Sequence, residues 1–232
     1  MTIFIYLFCR RVPNDNSNNA LLVKSDRKAA RIGALEMGLP RISYSEELHG
    51  SDQAFLDSYP PSKTLNTQSA WIYVSSSKFE DKHPDLDALS SAWDKICAKG
   101  PSTLSELDKL AERFDVLSGK WLVFVSSDEV DNLWGRIVKS TLAGTLGNCA
   151  RVSTRNKKDH RSSHVIYIYN ADYRSIEEVN RVRDGLRELG VKDRIFYKPD
   201  IYTHCRIYAG NSSGIPPTRY YSSWNAELGM FN

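Results

Sequence analysis

Cysteine is scarce in this chain, and what there is stands apart: Cys9, Cys97, Cys149 and Cys205 form no CxxC pair among 232 residues. A disulfide framework is not expected, so the thiols read as reduced ones of the cytoplasm, with the nucleus as the alternative compartment. Long apolar runs are lacking too. The run from Met1 to Phe8 is the one continuous apolar stretch of note, far below the roughly 20 residues of a membrane helix. The basic pair Arg10-Arg11 follows that run instead of preceding it, which argues against a secretory signal and for a buried strand or an ill-ordered leader. No membrane partner is expected. Neither GxxxxGK[ST] nor GxGxxG occurs, so the known glycine-rich phosphate cradles are excluded. There is no internal repeat, no low-complexity tract and no strong charge of one sign. With 31 Lys and Arg against 28 Asp and Glu, the net charge is +3 and the pI near 8.6. That balance permits an anionic partner without requiring one, and the placement of charge matters more than its total.

What is present suits one globular unit, with 41% hydrophobic and 25% charged residues. Residues 12–20 are turn formers, any helix around 26–37 would be short, and Pro60-Pro61 forbids regular structure. We therefore expect residues 1–50 to be a peripheral, partly irregular segment and 51–232 to form the domain. Trp71 to Ser75 reads as a strand. Leu86, Leu89, Trp93 and Ile96 mark a helix stopped by Gly100-Pro101. Ser102 or Thr103 opens a second helix, Thr103 and Glu106 having capping-box spacing. Lys120 to Val125 is the strongest strand, headed by Gly119. Val130, Leu133, Trp134, Ile137, Val138 and Leu142 form the buried stripe of the next helix. Strands at 150–152 and 165–169 leave no room for a crossover helix, so they predict an antiparallel hairpin. A helix through Ile176, Val179, Val182, Leu186 and Leu189 follows. The spans 194–197 and 201–208 have strand composition. The fold class is α+β, a curved antiparallel or mixed sheet with its helices on one face.

Chemistry concentrates in two places. The hairpin loop holds Arg151, Arg155, Lys157, Lys158 and Arg161 against Asp159 alone. Guanidinium forks and ammonium groups on a hairpin rim suit phosphate oxygens, though such a run also serves simply to keep an edge soluble. The second place is Tyr197-Lys198-Pro-Asp200-Ile-Tyr202-Thr203, which either lines a pocket or is an edge turn whose tyrosines cover apolar surface. Enzyme signals are poor. His204 and Cys205 point apart if they lie in a strand, and His160 and His164 lack a third ligand for a metal. Neither a catalytic residue, a metal nor a cofactor is expected. The five tryptophans could stack bases, but Trp93 and Trp134 sit on helical apolar stripes, where a core role is the simpler reading.

Gly119-Lys-Trp-Leu122, Leu133-Trp134, Gly147, Arg151-Val-Ser-Thr-Arg155 and Val165-Ile-Tyr-Ile-Tyr169 resemble, in order, successive elements of the translation initiation factor 4E family. More closely, Phe55-Leu-x-x-Tyr59-x-Pro-Ser62, Trp71-Ile-x-Val74, Val152-Ser-x-Arg155, His164-Val-Ile, Tyr169-Asn and Tyr197-Lys-Pro-Asp-x-Tyr-Thr203 look like the basophilic-leukaemia-expressed protein family, eukaryotic proteins with a 4E-like fold. The likeness spans about residues 55–225. It implies a curved sheet with helices on the convex face and a concave side open to a ligand. In the cap-binding family two tryptophans sandwich a methylated guanine, an acid binds its edge, and basic residues hold the phosphates. By resemblance Arg155 falls near the phosphate-binding arginine, and Lys157 or Lys158 near the lysine that follows it. At the tryptophan positions this chain offers Phe79 and Phe114-Asp115. Two phenyl faces would stack a base more weakly than two indoles, which speaks against cap recognition.

Two functions are weighed. One is a non-enzymatic RNA- or nucleotide-binding protein using the basic loop beside the concave face. The other is a protein-interaction adaptor that keeps the fold without the ligand and takes a partner peptide on its helical face beside Trp134. An enzyme built on the Tyr197–Thr203 turn would need a pocket there with a convergent acid and base.

Overall fold

The computed structural model describes residues 39–156, 163–225 and 230–231. The apolar run at Met1 to Phe8, the helix expected around 26–37, and Lys157, Lys158, His160 and Arg161 lie outside the described residues. No described helix is long and apolar enough to cross a membrane.

Seven strands form one curved, unclosed sheet. In chain order they are β1 (Ile42–Ser43), β2 (Trp71–Ser75), β3 (Gly119–Ser126), β4 (Cys149–Ser153), β5 (Ser163–Asn170), β6 (Ile195–Pro199) and β7 (Tyr220–Ser222). Across the sheet the order is β1-β2-β4-β5-β3-β6-β7. Only the β1–β2 pair is parallel; the others are antiparallel, including the expected β4–β5 hairpin. A two-stranded ribbon, β8 (Trp224–Asn225) with β9 (Met230–Phe231), follows. β3 lies between β5 and β6 and is buried through its first five residues.

The helices are α1 (Glu46–His49), α2 (Asp52–Ser58), α3 (Leu86–Cys97), α4 (Leu104–Arg113), α5 (Ser127–Leu142), α6 (Ile176–Glu188) and α7 (Asp200–His204). α4 opens on a complete Thr103–Glu106 capping box, so two otherwise orphaned backbone N–H groups are satisfied reciprocally. α5 buries Val130, Leu133, Trp134, Ile137 and Val138 against the inward side chains of β2, β4, β5 and β3, among them Ile72, Val152, Ile166 and Val123. Trp121, also on that side, donates its indole N–H to the Val179 carbonyl of α6 at 2.9 Å. One core therefore occupies the convex, helix-covered face. Phe55 of α2 is wholly buried in it, and β1 pairs with β2, so residues on both sides of position 50 contribute to the sheet and core.

One element departs from expectation. Ile201 to Tyr208 does not extend as a strand: α7 begins at Asp200, directly after Pro199. Pro199, with φ −58, ends the sheet pairing because it has no N–H to donate and serves as the helix N-cap. Asp200 follows as a first-turn acid. Ile201 and Tyr202 then bury among the core residues instead of alternating across a sheet.

Candidate functional site

The sheet's other face carries side chains in rows set by strand register. Ser75, Cys149, Tyr169, Lys120 and Lys198 form one row, and Tyr73, Arg151, Tyr167, Leu122 and Phe196 the next. Trp71 stands two residues from Tyr73 on the same side, as strand alternation requires. Aromatic and cationic groups thus alternate on the concave surface.

Arg151 is the centre of this surface. Its guanidinium carbon lies 4.2 Å above the Trp71 ring, 5.2 Å from that of Tyr167, and 5.8 and 5.9 Å from those of Tyr73 and Tyr169. Its Nη1 donates to the Tyr73 hydroxyl at 3.3 Å. Arg41, just ahead of β1, also places its guanidinium over one of these rings, 4.2 Å from the centroid of Tyr73. Trp71 and Tyr167 pack at 5.0 Å between centroids. Stacking of this kind holds a guanidinium in place while leaving its positive charge intact.

Beyond Arg151 lies a cavity of about 500 Å³, lined among others by Tyr73, Phe79, Asn148, Tyr169 and Asp200. Lys120, only 5% exposed, forms a close ion pair with Asp200 at its edge. Ser118 Oγ also donates to Asp200, at 2.5 Å. Burial works against the Asp200 charge, but the Lys120 ammonium and the two hydrogen bonds outweigh it and hold the carboxyl below its usual range. Burial lowers the basicity of His204, one turn on, with Asp200 opposing, and raises the Cys149 thiol above its ordinary value. Cys205, pushed up to about 12 by burial, stays a protonated thiol with little nucleophilic character. The turn thus brings an acid and a histidine to one cavity, yet the acid is engaged by Lys120 and Ser118. At the rim, Lys82 pairs with Asp115 at 2.7 Å.

The sequence-derived candidates are placed as follows. Arg151 is central, and Phe79 and Asp200 line the cavity. Phe114 is the half-buried C-cap of α4 and packs against the convex-face core, although its neighbour Asp115 reaches the cavity. Arg155 is exposed and forms an isolated bridge with Leu65; it is not among the cavity residues. Lys198, 4% exposed, lies on the concave side with its ammonium 4.1 Å from the Tyr208 ring. Tyr197 and Tyr202 are wholly buried in the convex-face core, the Tyr197 hydroxyl donating to Asn170 Oδ1. His164 is equally structural, bonded through Nδ1 to the Ser153 carbonyl at 2.7 Å and through Nε2 to Ser127 Oγ at 3.0 Å. Among the described residues no cluster of His, Cys, Asp and Glu could hold a metal ion.

Sequence reading missed Arg41, Tyr73, Lys120, Tyr167 and Tyr169 as site residues. The available signal was alternation: Trp71 with Tyr73, and Tyr167 with Tyr169, are two apart and so share a face.

On the helical face, Trp134 is wholly buried, so its indole belongs to the core and is not presented to a partner. The large exposed apolar residues among those described, Leu48, Leu86 and Ile176, sit on three different elements.

Fold and site together define an α+β protein with a helix-covered convex face and a cationic, aromatic concave one. Residues 90–206 match the family of the basophilic leukemia-expressed protein Bles03, and the chain belongs to that family. Three solved structures are similar to it. The Caenorhabditis elegans eIF4E-3 complex with the 4E-binding protein Mextli and a cap analog is 18% identical, covering 45% of this chain and 60% of that one, with a TM-score of 0.33. A schistosome eIF4E complexed with m7GpppA and 4E-BP is 18% identical over 44% of this chain and 57% of the other, at TM-score 0.33. Ascaris suum eIF4E-3 with an m2,2,7G cap is 15% identical over 66% and 93%, at 0.34. The chain thus matches about three-fifths of the length of the first two.

Proposed function

We propose that this protein binds a phosphorylated nucleotide, alone or as part of an RNA, on the concave face of its sheet, without catalysis. The observation that carries this is the setting of Arg151: a guanidinium stacked at 4.2 Å on Trp71, ringed by three tyrosines, at the wall of a cavity of about 500 Å³. Such a volume is in the ordinary range for small-molecule sites, roughly 300–1,000 Å³. Arginine forks suit phosphate oxygens, and aromatic faces such as Phe79 and Tyr169 suit the flat side of a base. Arg155 and the lysines after it would add phosphate contacts for a longer RNA.

The test is calorimetric titration with the ribonucleoside 5′-monophosphates and with single-stranded RNA at low and at high salt. Arg151→Met keeps the side-chain length and removes the fork. A lost charge-assisted contact is worth about 1.5–3 kcal/mol, so the nucleotide affinity should fall at least tenfold. Neutralising Arg155, Lys157 and Lys158 should flatten the salt dependence for RNA. Absence of binding at low salt, or unchanged affinity in Arg151→Met, would overturn the reading. The adaptor alternative has less to rest on, since Trp134 is buried.

A further inference from the structure

A second, smaller cavity of about 200 Å³ adjoins the first. Three residues line both: Arg41, Tyr73 and Arg151. They are the members of one continuous stack, Arg41 over Tyr73 at 4.2 Å and Arg151 bonded to the Tyr73 hydroxyl at 3.3 Å. This cation–aromatic stack is the common wall of two compartments. The smaller compartment also has Trp71, Ser69 and Ala70 in its walls. Alone it is below the size of an ordinary ligand site, but it has room for a sugar or a single ring.

Each compartment also has a lining residue with a buried polar atom that has no hydrogen-bond partner among the described residues. For the larger cavity the residue is Asn148, whose Oδ1 is a buried acceptor, and for the smaller one it is Trp71, whose Nε1 is a buried donor. Buried polar groups are nearly always paired in folded proteins. An unpaired acceptor on a residue of one compartment and an unpaired donor on a residue of the other suit a ligand with a polar group on each side of an anion.

We propose that the site takes a two-part ligand, a dinucleotide unit whose linking phosphate lies against Arg41 and Arg151. One nucleoside occupies the larger cavity within reach of Asn148, and the neighbouring sugar or base occupies the smaller one beside Trp71. This rests on the nucleotide reading above and narrows it: a mononucleotide fills one compartment and leaves the other unused.

The full chain is titrated with UMP and AMP and, in parallel, with pUpU and pApA. The dinucleotides should bind at least tenfold more tightly than the corresponding mononucleotides. In Trp71→Phe, which keeps a ring but deletes the indole N–H, that preference should shrink about twofold to tenfold, the worth of one neutral hydrogen bond. A cooperative urea transition shows that the variant is folded. A 5′-phosphorylated uridine octamer separates two sources of the same chemistry. Affinity matching pUpU assigns the site to RNA, and much weaker binding assigns it to free dinucleotides. Equal affinity for mono- and dinucleotide overturns the two-compartment proposal while the nucleotide reading stands; no binding of either ligand overturns both.

Discussion

Asp200→Asn should destabilise the protein in a way that depends on pH with a definite sign. The substitution keeps the size of the side chain and an acceptor for Ser118, but deletes the only charge paired with Lys120 among the described residues. Lys120 is 5% exposed and cannot turn to water. It must either remain an uncompensated buried ammonium or lose its proton. Shedding that proton at pH 7, from an ordinary lysine value of about 10.4, costs about 4.6 kcal/mol, which caps the loss. Breaking one side of a buried ion pair commonly costs about 3–5 kcal/mol, and the two figures agree. The variant's folded state then holds a neutral lysine while the unfolded chain stays protonated up to about pH 10. The unfolded state binds more protons, so the deficit should shrink by about 1.4 kcal/mol for each unit of rising pH. In the native protein the depressed pKa of Asp200 acts at the other end of the scale. Its stabilisation is complete above the unfolded carboxylate value of about 3.9 and fades only as pH falls through the lower folded value. Native stability should therefore show no slope from Asp200 between pH 6 and 9. Urea denaturation over that range measures both quantities. A loss under about 1 kcal/mol, or a deficit that does not shrink as pH rises, would show that the Lys120 ammonium is not confined as described.

Two further outcomes follow from the packing. Trp134→Ala empties a fully buried site in the convex-face core and should cost about 3–5 kcal/mol by denaturant midpoint, where a docking tryptophan would cost almost nothing. In Gly119→Ala the new methyl would collide with the hydroxyl end of Tyr197 and crowd Tyr173; with Tyr197 held by Asn170 and Trp121, the overpacking should cost about 1–3 kcal/mol, and an unchanged melting temperature would contradict that tightness.

The parts of the fold that could be read ahead of the structure were those with one-sided patterns. α5 shows its buried stripe at three- and four-residue spacing, and α4 its capping box. The hairpin followed from the short separation of β4 and β5. Which side of each strand faces the helices was not legible, because Trp71-Ile-Tyr-Val and Val165-Ile-Tyr-Ile-Tyr are apolar or aromatic on both sides. A strand covered on one face and lining an aromatic concavity on the other has no polar alternation to reveal its orientation. That hid the site, whose members are every second residue of β2, β4, β5 and β3. Ile201 to Tyr208 misled for a related reason: β-branched and aromatic composition reports burial as much as extension, and the decisive feature was Pro199 ahead of it. Phe79 could be anticipated as a cavity residue, whereas Phe114 could not be told from a core phenylalanine before the end of α4 was known.

β3 serves both faces from adjacent positions: Lys120 pairs with Asp200 beside the cavity, while Trp121 fills the core against Tyr197. Because the strand's period is two residues, one residue inserted or deleted between the end of α4 and Gly119 would, if β3 slid in step, exchange these roles. An ammonium would enter the hydrocarbon interior and an indole would face the cavity. The length of the Phe114–Ser118 connection is thus under as strict a constraint as any side chain of the site. In a reshaped version of this protein, that connection should tolerate length changes only in pairs.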